Sequence, residues 1–324
     1  MKKGTMPMLH YILKRFIQSL ITIFLVVTIV FLLLRLMPTD YFFTEDELMK
    51  LTDAQKEDRL RAAGLLDPVH IQLGRFYKKL FTEFDLGTSR RLQVNQPVSK
   101  VIGSKFGISM RLGLISLGIS LVVGVPIGIL QARYKGGVFD NLGIAYTVFV
   151  NAVPHLVFYS LVLTLGARWL GLPSLYTLRN PGPSSVLPIA CLSLVSISSY
   201  MLWMRRYMVD ELNKDYIRLA KLKGLSTTKV MFRHVMRNAF LPLAQYLPYN
   251  ILLTVGGSLL VERFFSVPGL GPLLTDAISR YDTNVVQAIV MLYASLGIAG
   301  LFLGDLLITV LDPRIRLTGK EGVR

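Results

Sequence analysis

Six hydrophobic helices crossing a bilayer, in an all-α membrane protein, make up the architecture the sequence predicts. Three observations carry that prediction. The chain is 52% hydrophobic over 324 residues, with a mean hydropathy of +0.50, above what soluble domains reach. Six stretches, 16–34, 112–132, 141–167, 180–204, 238–261 and 283–304, contain no Asp, Glu, Lys or Arg, and each approaches or exceeds the ~20 residues a spanning helix needs. The basic residues between them alternate in density, as bilayer topology demands.

The first stretch follows Lys14 and Arg15, as a secretory signal would. It is too long for a signal core, and no small-x-small cleavage site precedes Arg35, so it is read as a retained span closing an N-terminal segment, 1–36. Residues 37–107 carry 11 basic and 10 acidic residues, a near balance that long loops tolerate on either side. Helices are predicted over 53–63 and 71–81. Leu65, Leu66, Ile71, Leu73, Phe76, Leu80 and Phe81 are candidates for one small extracytoplasmic cap between the first two helices.

The remaining five stretches form a core, 108–311, with a tail at 312–324. Pro126, Pro154, Pro188, Pro242 and Pro248 are predicted to kink or break its helices, which membranes allow where neighbours satisfy the freed carbonyls. Gly113, Gly118, Gly124, Gly128, Gly256, Gly257, Gly297 and Gly300 permit close helix contact. The amino terminus, the second loop, the fourth loop and the tail together hold 19 basic residues, against four (Arg168, Arg179, Arg263, Arg280) in the opposite short loops. Positive-inside bias therefore places both termini in the cytoplasm. The formal charge of +16 lies between apolar runs, so it is assigned to topology and not to nucleic acid.

The fourth loop, 205–237, is the densest, with nine Lys or Arg against Asp210, Glu211 and Asp215. Asp215 is predicted to cap a helix over 216–223, and Gly224 to close it in the left-handed conformation. Eight residues make a peg of about 12 Å. Tyr216, Leu219 and Ala220 fall on one face at i, i+3 and i+4. Ser226 caps a second helix in which Lys229, Arg233 and Arg237 form a basic stripe, with Val230, Met231 and Val235 elsewhere on the cylinder. Two readings stand side by side, a docking surface and a solvated loop that only fixes orientation.

Catalytic signatures are missing. There is no G-x-x-x-x-G-K-[ST] loop, H-E-x-x-H, C-x-x-C or G-x-S-x-G, and the histidines, His10, His70, His155 and His234, are scattered. Neither an enzyme site nor a cofactor or metal site is predicted. Cys191 is alone, so no intrachain disulfide is possible. Asp305 and Arg111 interrupt apolar runs without an evident partner, and a proton-coupled carrier, which needs several such groups, is poorly supported.

Nine phrases occur in one family's order: HYILKRFIQSLITIFLVVTIVFLLLRLMP, GLLDPVHIQ, FDLGTS, QPV, GVPIG, DYIRLAKLKGLSTTKVMFRHVMRNAFLP, ERFFSVPGLG, YDTNVVQ and LDPRIR. The chain resembles, over nearly its whole length, the B-type permease subunit of ABC importers for oligopeptides, dipeptides and nickel. It departs at Pro38-Thr39-Asp40-Tyr41, where the family usually has Gly-Asp-Pro. It also departs at Arg218, Leu219 and Ala220 before Gly224, where the general signature is Glu-Ala-Ala, three residues, Gly. The resemblance implies a type I importer permease fold in a bacterial or archaeal cell (inner) membrane. It implies four kinds of partner: a second, homologous permease, two ATPase subunits that bind the ATP, an extracytoplasmic substrate-binding protein, and the lipid bilayer. It makes the helix after Asp215 a coupling helix, with Asp215 and Gly224 fixing its ends, Tyr216, Leu219 and Ala220 packing into an ATPase, and Arg218, Lys221 and Lys223 pairing with its acids. Residues 262–271 look like the family's external segment after span five. Pro268, Gly269 and Gly271 suggest a tight turn there, an outer gate or a plain connection. The expected function is passage of peptides. Nickel or another small solute is the alternative within the class, and an ion-gradient carrier or a membrane assembly factor the alternatives outside it.

Overall fold

The computed structural model describes residues 8–37 and 39–311. Lys2, Lys3, Pro38 and the tail, with most of the LDPRIR phrase, lie outside the described residues. Those described are helical, with one isolated antiparallel bridge, Thr88 to Pro97, and no strand among them.

Helix α1 (Met8–Arg35) is followed by a 3-10 turn at Thr39–Phe42 and by α2 (Glu45–Lys50), α3 (Asp53–Ala62) and α4 (Val69–Glu83). Thr44 with Glu47 and Thr52 with Gln55 form capping boxes that start α2 and α3, each satisfying two otherwise orphaned donors. The long α5 (Val98–Arg133) has 36 residues, about 54 Å at ~1.5 Å each, so it outruns a ~30 Å hydrocarbon layer. Then come α6 (Val138–Ala152) and α7 (His155–Leu170), bent by 112° at Val153 and Pro154. Val153 is extended because the ring of Pro154 disfavours the helical conformation before it. Next are α8 (Pro181–Ser184), α9 (Val186–Leu212), α10 (Asp215–Leu222), α11 (Thr227–Val230), a π-helical turn at Met231–Val235 and α12 (Met236–Val255). The chain closes with α13 (Leu259–Phe264), α14 (Leu270–Ser279) and α15 (Thr283–Leu311).

Four segments, containing α1, α5, α8–α9 and α15, are long and apolar enough to cross a membrane, and the bent pair α6–α7 makes a fifth. The fifth charge-free run forms α12, whose Asn238, Gln245 and Asn250 dilute its hydropathy. Helix continues through Pro126, Pro242 and Pro248. Pro188 breaks nothing, since it stands third in α9, where its missing N–H has no intrahelical acceptor.

Helix α5 packs on α9, α12 on α15, and α1 on the outside of α15. A Cβ on Gly128 would lie 2.6 Å from Met201 O, and one on Gly300 2.6 Å from Tyr249 Cα, so these helices touch at backbone distance. Gly113 meets Thr254 in the same way, whereas Gly118 faces open space. Phe16, Ile21, Leu25 and Ile29 of α1 remain exposed.

Two sequence expectations are corrected here. The seven apolar residues of the 37–107 segment do not form a core of their own: Leu66, Ile71 and Phe81 are exposed. The segment instead docks its aromatics on α1, Phe76 against Phe31 at 5.3 Å and Tyr77 against Phe24 at 4.9 Å. A segment this small gains more by covering a neighbouring helix than by folding around itself. Asp305 also has partners, since Arg15 of α1 lies 3.4 Å away and Gln245 of α12 donates to it at 3.4 Å.

Phrases far apart in sequence meet at one end of α15. Asp282 is fully buried, and its Oδ2 accepts from Ser89 Oγ at 2.6 Å and from the backbone N–H groups of Arg90, Arg91 and Leu92 at 3.1, 3.0 and 3.1 Å. Asn284 donates to Thr88 O at 2.9 Å. Asp282→Ala orphans four donors at once and is expected to free the 89–92 loop, at a cost of about 3 kcal/mol or more. Limited trypsinolysis after Arg90 and Arg91 should accelerate at least about tenfold; an unchanged digest would refute the latch.

Candidate functional site

Helix α10 starts one residue earlier than expected. Lys214 is its N-cap, in extended conformation and without a side-chain bond, and Asp215 is its first residue, 3.5 Å from Arg218. Asp215 therefore does not cap the helix. An extended Lys214 turns the chain into the helix, and Asp215 contributes a negative charge to the first turn, where the helix dipole favours it. The far end is closed by Gly224 at φ +77°, with Gly224 N–H donating to Lys221 O at 2.9 Å and Leu225 N–H to Ala220 O at 3.3 Å. This pair is a Schellman closure, which requires the left-handed residue.

The two faces of α10 have opposite characters. Ile217 and Ala220 are buried among Met204 and Met208 of α9 and Val230, Met231 and Val235 that follow. Ala220, expected on the outward face, is thus turned into the chain's own core, because the helix is rotated so that Ile217 and Ala220, three apart, seal against α9. Outward stand Leu219, 54% exposed, and Leu222, 84% exposed. Arg218, Lys221 and Lys223 are exposed beside them. Leu222 was not singled out from the sequence, although its i+3 spacing from Leu219 marks the same stripe.

Tyr216 is anchored rather than free. Its hydroxyl donates to Glu211, and Asn238 Nδ2 donates to that hydroxyl at 2.8 Å and to Glu211 at 3.0 Å, binding α10 to the ends of α9 and α12. Ser226 caps α11 by accepting from Lys229 N–H at 3.4 Å, as expected. Beyond the Glu211 network, Asp140 of α6 takes Arg205 of α9 in a two-bond pair, Nε to Oδ1 at 2.5 Å and Nη2 to Oδ2 at 2.8 Å. Gly136 N–H also donates to Asp140 at 2.8 Å, and Asp140 is 1% exposed. The peg is therefore rigidly tied to two long helices.

The second candidate set is a packed corner between α13 and α14. Gly269 is the N-cap of α14, Gly271 is its second residue, and both are buried, with Pro268 partly so. They surround the carboxylate of Glu262, 1% exposed, which accepts from Gly271 N–H at 2.9 Å and from Ser258 N–H at 3.3 Å. Ser109 of α5 accepts from Leu270 N–H at 2.9 Å. Burial pushes the Glu262 carboxyl above the usual carboxylate range, opposed by bonds from Ser109 and the backbone N–H groups of Gly271 and Ser258. The tight turn exists, with Ser266 left-handed at φ +55°. Its small residues make room for the Glu262 side chain, which the sequence reading did not pick out.

Residues 124–317 match the family described as the binding-protein-dependent transport system inner membrane component. The chain is also 33% identical over 313 residues to the dipeptide transport system permease protein DppB of Lactococcus lactis subsp. cremoris, covering 96% of this chain and all of that one. The chain belongs to this family of permeases. A second permease, AmiC of Streptococcus pneumoniae, named for oligopeptide transport, is 34% identical over 65% of this chain and 42% of its own. Over part of its length this permease has a fold similar to that of a chain of the MetNI methionine ABC transporter, a structure solved in inward-facing conformations. The likeness has a TM-score of 0.52 at 13% identity and covers 66% of this chain and 97% of that one. The matched region of the family includes α10.

Proposed function

We propose that this chain is one of two permease subunits lining the path of an ATP-driven peptide importer. ATP is bound by two separate ATPase subunits, and cargo is delivered by a substrate-binding protein. The observation that carries the proposal is the division of α10. One face is sealed into the stems of α9 and α12, while Leu219 and Leu222 project outward among Arg218, Lys221 and Lys223. A solvated loop has no reason to hold two leucines out of its own core on a closed, anchored helix. The peptide cargo is carried over from relatives named for dipeptides and oligopeptides.

In this reading α12 is the sixth span, its polar side chains held by protein neighbours such as Tyr200 and Asp305. The basic loops, α10 and both termini face the cytoplasm, and residues 37–107 form the external cap. The corner at Pro268, Gly269 and Gly271 moves as one piece with Glu262 at the outer mouth. Reconstitution with candidate ATPases and the binding protein should give ATP-dependent uptake of labelled peptide. Uptake driven by an ion gradient without ATP would refute the proposal.

Gly224→Val places a branched side chain at φ +77°. Nothing lies within 4 Å of the added Cβ, so the cost is backbone strain alone, about 1–2 kcal/mol. Membrane insertion should persist while ATPase association and transport fall severalfold, measured by co-purification and uptake. Unchanged coupling would remove α10 from the contact.

A further inference from the structure

The external segment is nearly neutral, with 11 basic and 10 acidic residues over 37–107, but its charge is not spread evenly. A cavity of 380 Å³ lies where the end of α1, α4, the 85–90 loop and the start of α15 meet. Arg35, Arg75, Lys79 and Arg90 line it against one acid, Asp85. Arg75 is held by Asp67 at 2.7 Å. Among the described residues no acid pairs with Lys79. The inner wall is apolar, with Phe31, Phe76 and Met291. Two wall amides are half satisfied: Gln72, 8% exposed, donates to Leu65 O and Asp67 O but leaves Oε1 without a partner, and Gln287 leaves Nε2 without one.

We propose that this cavity seats the phosphodiester headgroup of an outer-leaflet phospholipid, its acyl chains lying along α1. The cations supply a phosphate site on the outside of the bundle. Leu25, Ile29, Leu32 and Leu33 are exposed on the side of α1 turned away from Phe31, so acyl chains would lie on that outer face of the helix. The choice of leaflet rests on the orientation proposed above, while the binding does not.

The test is native mass spectrometry of the full chain in detergent with dioctanoyl phosphatidylglycerol, dioctanoylglycerol, glycerol 3-phosphate or the peptide tri-aspartate. The phosphatidylglycerol adduct should persist where dioctanoylglycerol is lost. Arg35→Gln with Lys79→Gln should weaken it about tenfold. Lys79→Glu alone, at an exposed side chain, should weaken it in the same direction if the double variant does not fold. Equal retention of the two lipids, or retention unchanged in the variants, overturns the proposal. Equal affinity for glycerol 3-phosphate would make it a free-phosphate site, and displacement by tri-aspartate a site for an acidic protein loop; either also overturns it. The assay contains no ATP, ATPase or peptide cargo, so failure of the transport reading leaves its outcome untouched.

Discussion

Replacing Leu219 and Leu222 together with aspartate is expected to abolish coupled transport while leaving the fold intact. Their side chains are 54% and 84% exposed, so folding loses little by their removal, typically within about 0.5 kcal/mol for such surface sites. Docking loses far more. Burying an exposed leucine contributes about 1.5–3 kcal/mol, and an aspartate driven into the same contact adds an unpaired charge. Two such losses weaken association at least about 100-fold. The check is co-purification of the ATPase subunits and cargo-stimulated ATP hydrolysis, with Leu222→Met as a control that keeps the apolar tip. Charge-neutralising Arg218, Lys221 and Lys223 should act differently, slowing association in a salt-dependent way, because rim charges govern encounter more than residence. If the double aspartate variant still binds and couples, the exposed tip of α10 is not the contact.

The all-helical membrane architecture was legible because bilayer crossing imposes length and apolarity on consecutive residues, which a sequence displays directly. So was the closure of α10, since a left-handed terminal residue calls for glycine and Gly224 supplies it. Two of the three helices between α1 and α5 were also legible: α3 and α4 match the predicted ranges to within two residues at each end, while α2 was not predicted. Less legible was anything set by rotation or by distant partners. Ile217 and Ala220 face inward, three residues apart, and Leu219 and Leu222 face outward, also three apart; the spacing alone does not say which pair meets the core. Helix α5 begins at Val98, well before its charge-free run, because Lys100, Lys105 and Arg111 are compatible with helix and mark only where apolar surroundings end. The Asp282 latch and the Arg15–Asp305 pair join residues 190 to 290 positions apart, and the Glu262 corner folds around backbone N–H groups, so no local pattern announces them. FDLGTS, QPV and YDTNVVQ stood out as family phrases, and the structure supplies their physical reason: each contributes to one buried carboxylate site or its bracing bridge.

A further long-range tie, between α6 and α9, yields the other large expected effect. Asp140 and Arg205 form a two-bond pair, with Asp140 1% exposed and the Arg205 side chain 20% exposed. Gln131 of α5 donates to Asp140 O at 3.2 Å, so α5, α6 and α9 converge on this point two turns before α10. Breaking a buried pair on one side is expected to cost about 3–5 kcal/mol, because the remaining charge is left without compensation. The two single variants should not be equal. Asp140→Asn leaves an arginine that can swing its guanidinium towards solvent along an apolar stem. Arg205→Met leaves a carboxylate with no route out, held by Gly136 N–H alone, and is expected to be the more destabilised. The double variant, with neither charge, should recover much of the loss. Thermal unfolding of the four proteins in detergent forms the cycle, and a coupling energy near zero would refute the pair's role. The same ordering should appear in peptide uptake if, as proposed, α10 is pushed by an ATPase, because α9 would then carry that push into the bundle and Arg205 is where α9 is fastened to α6.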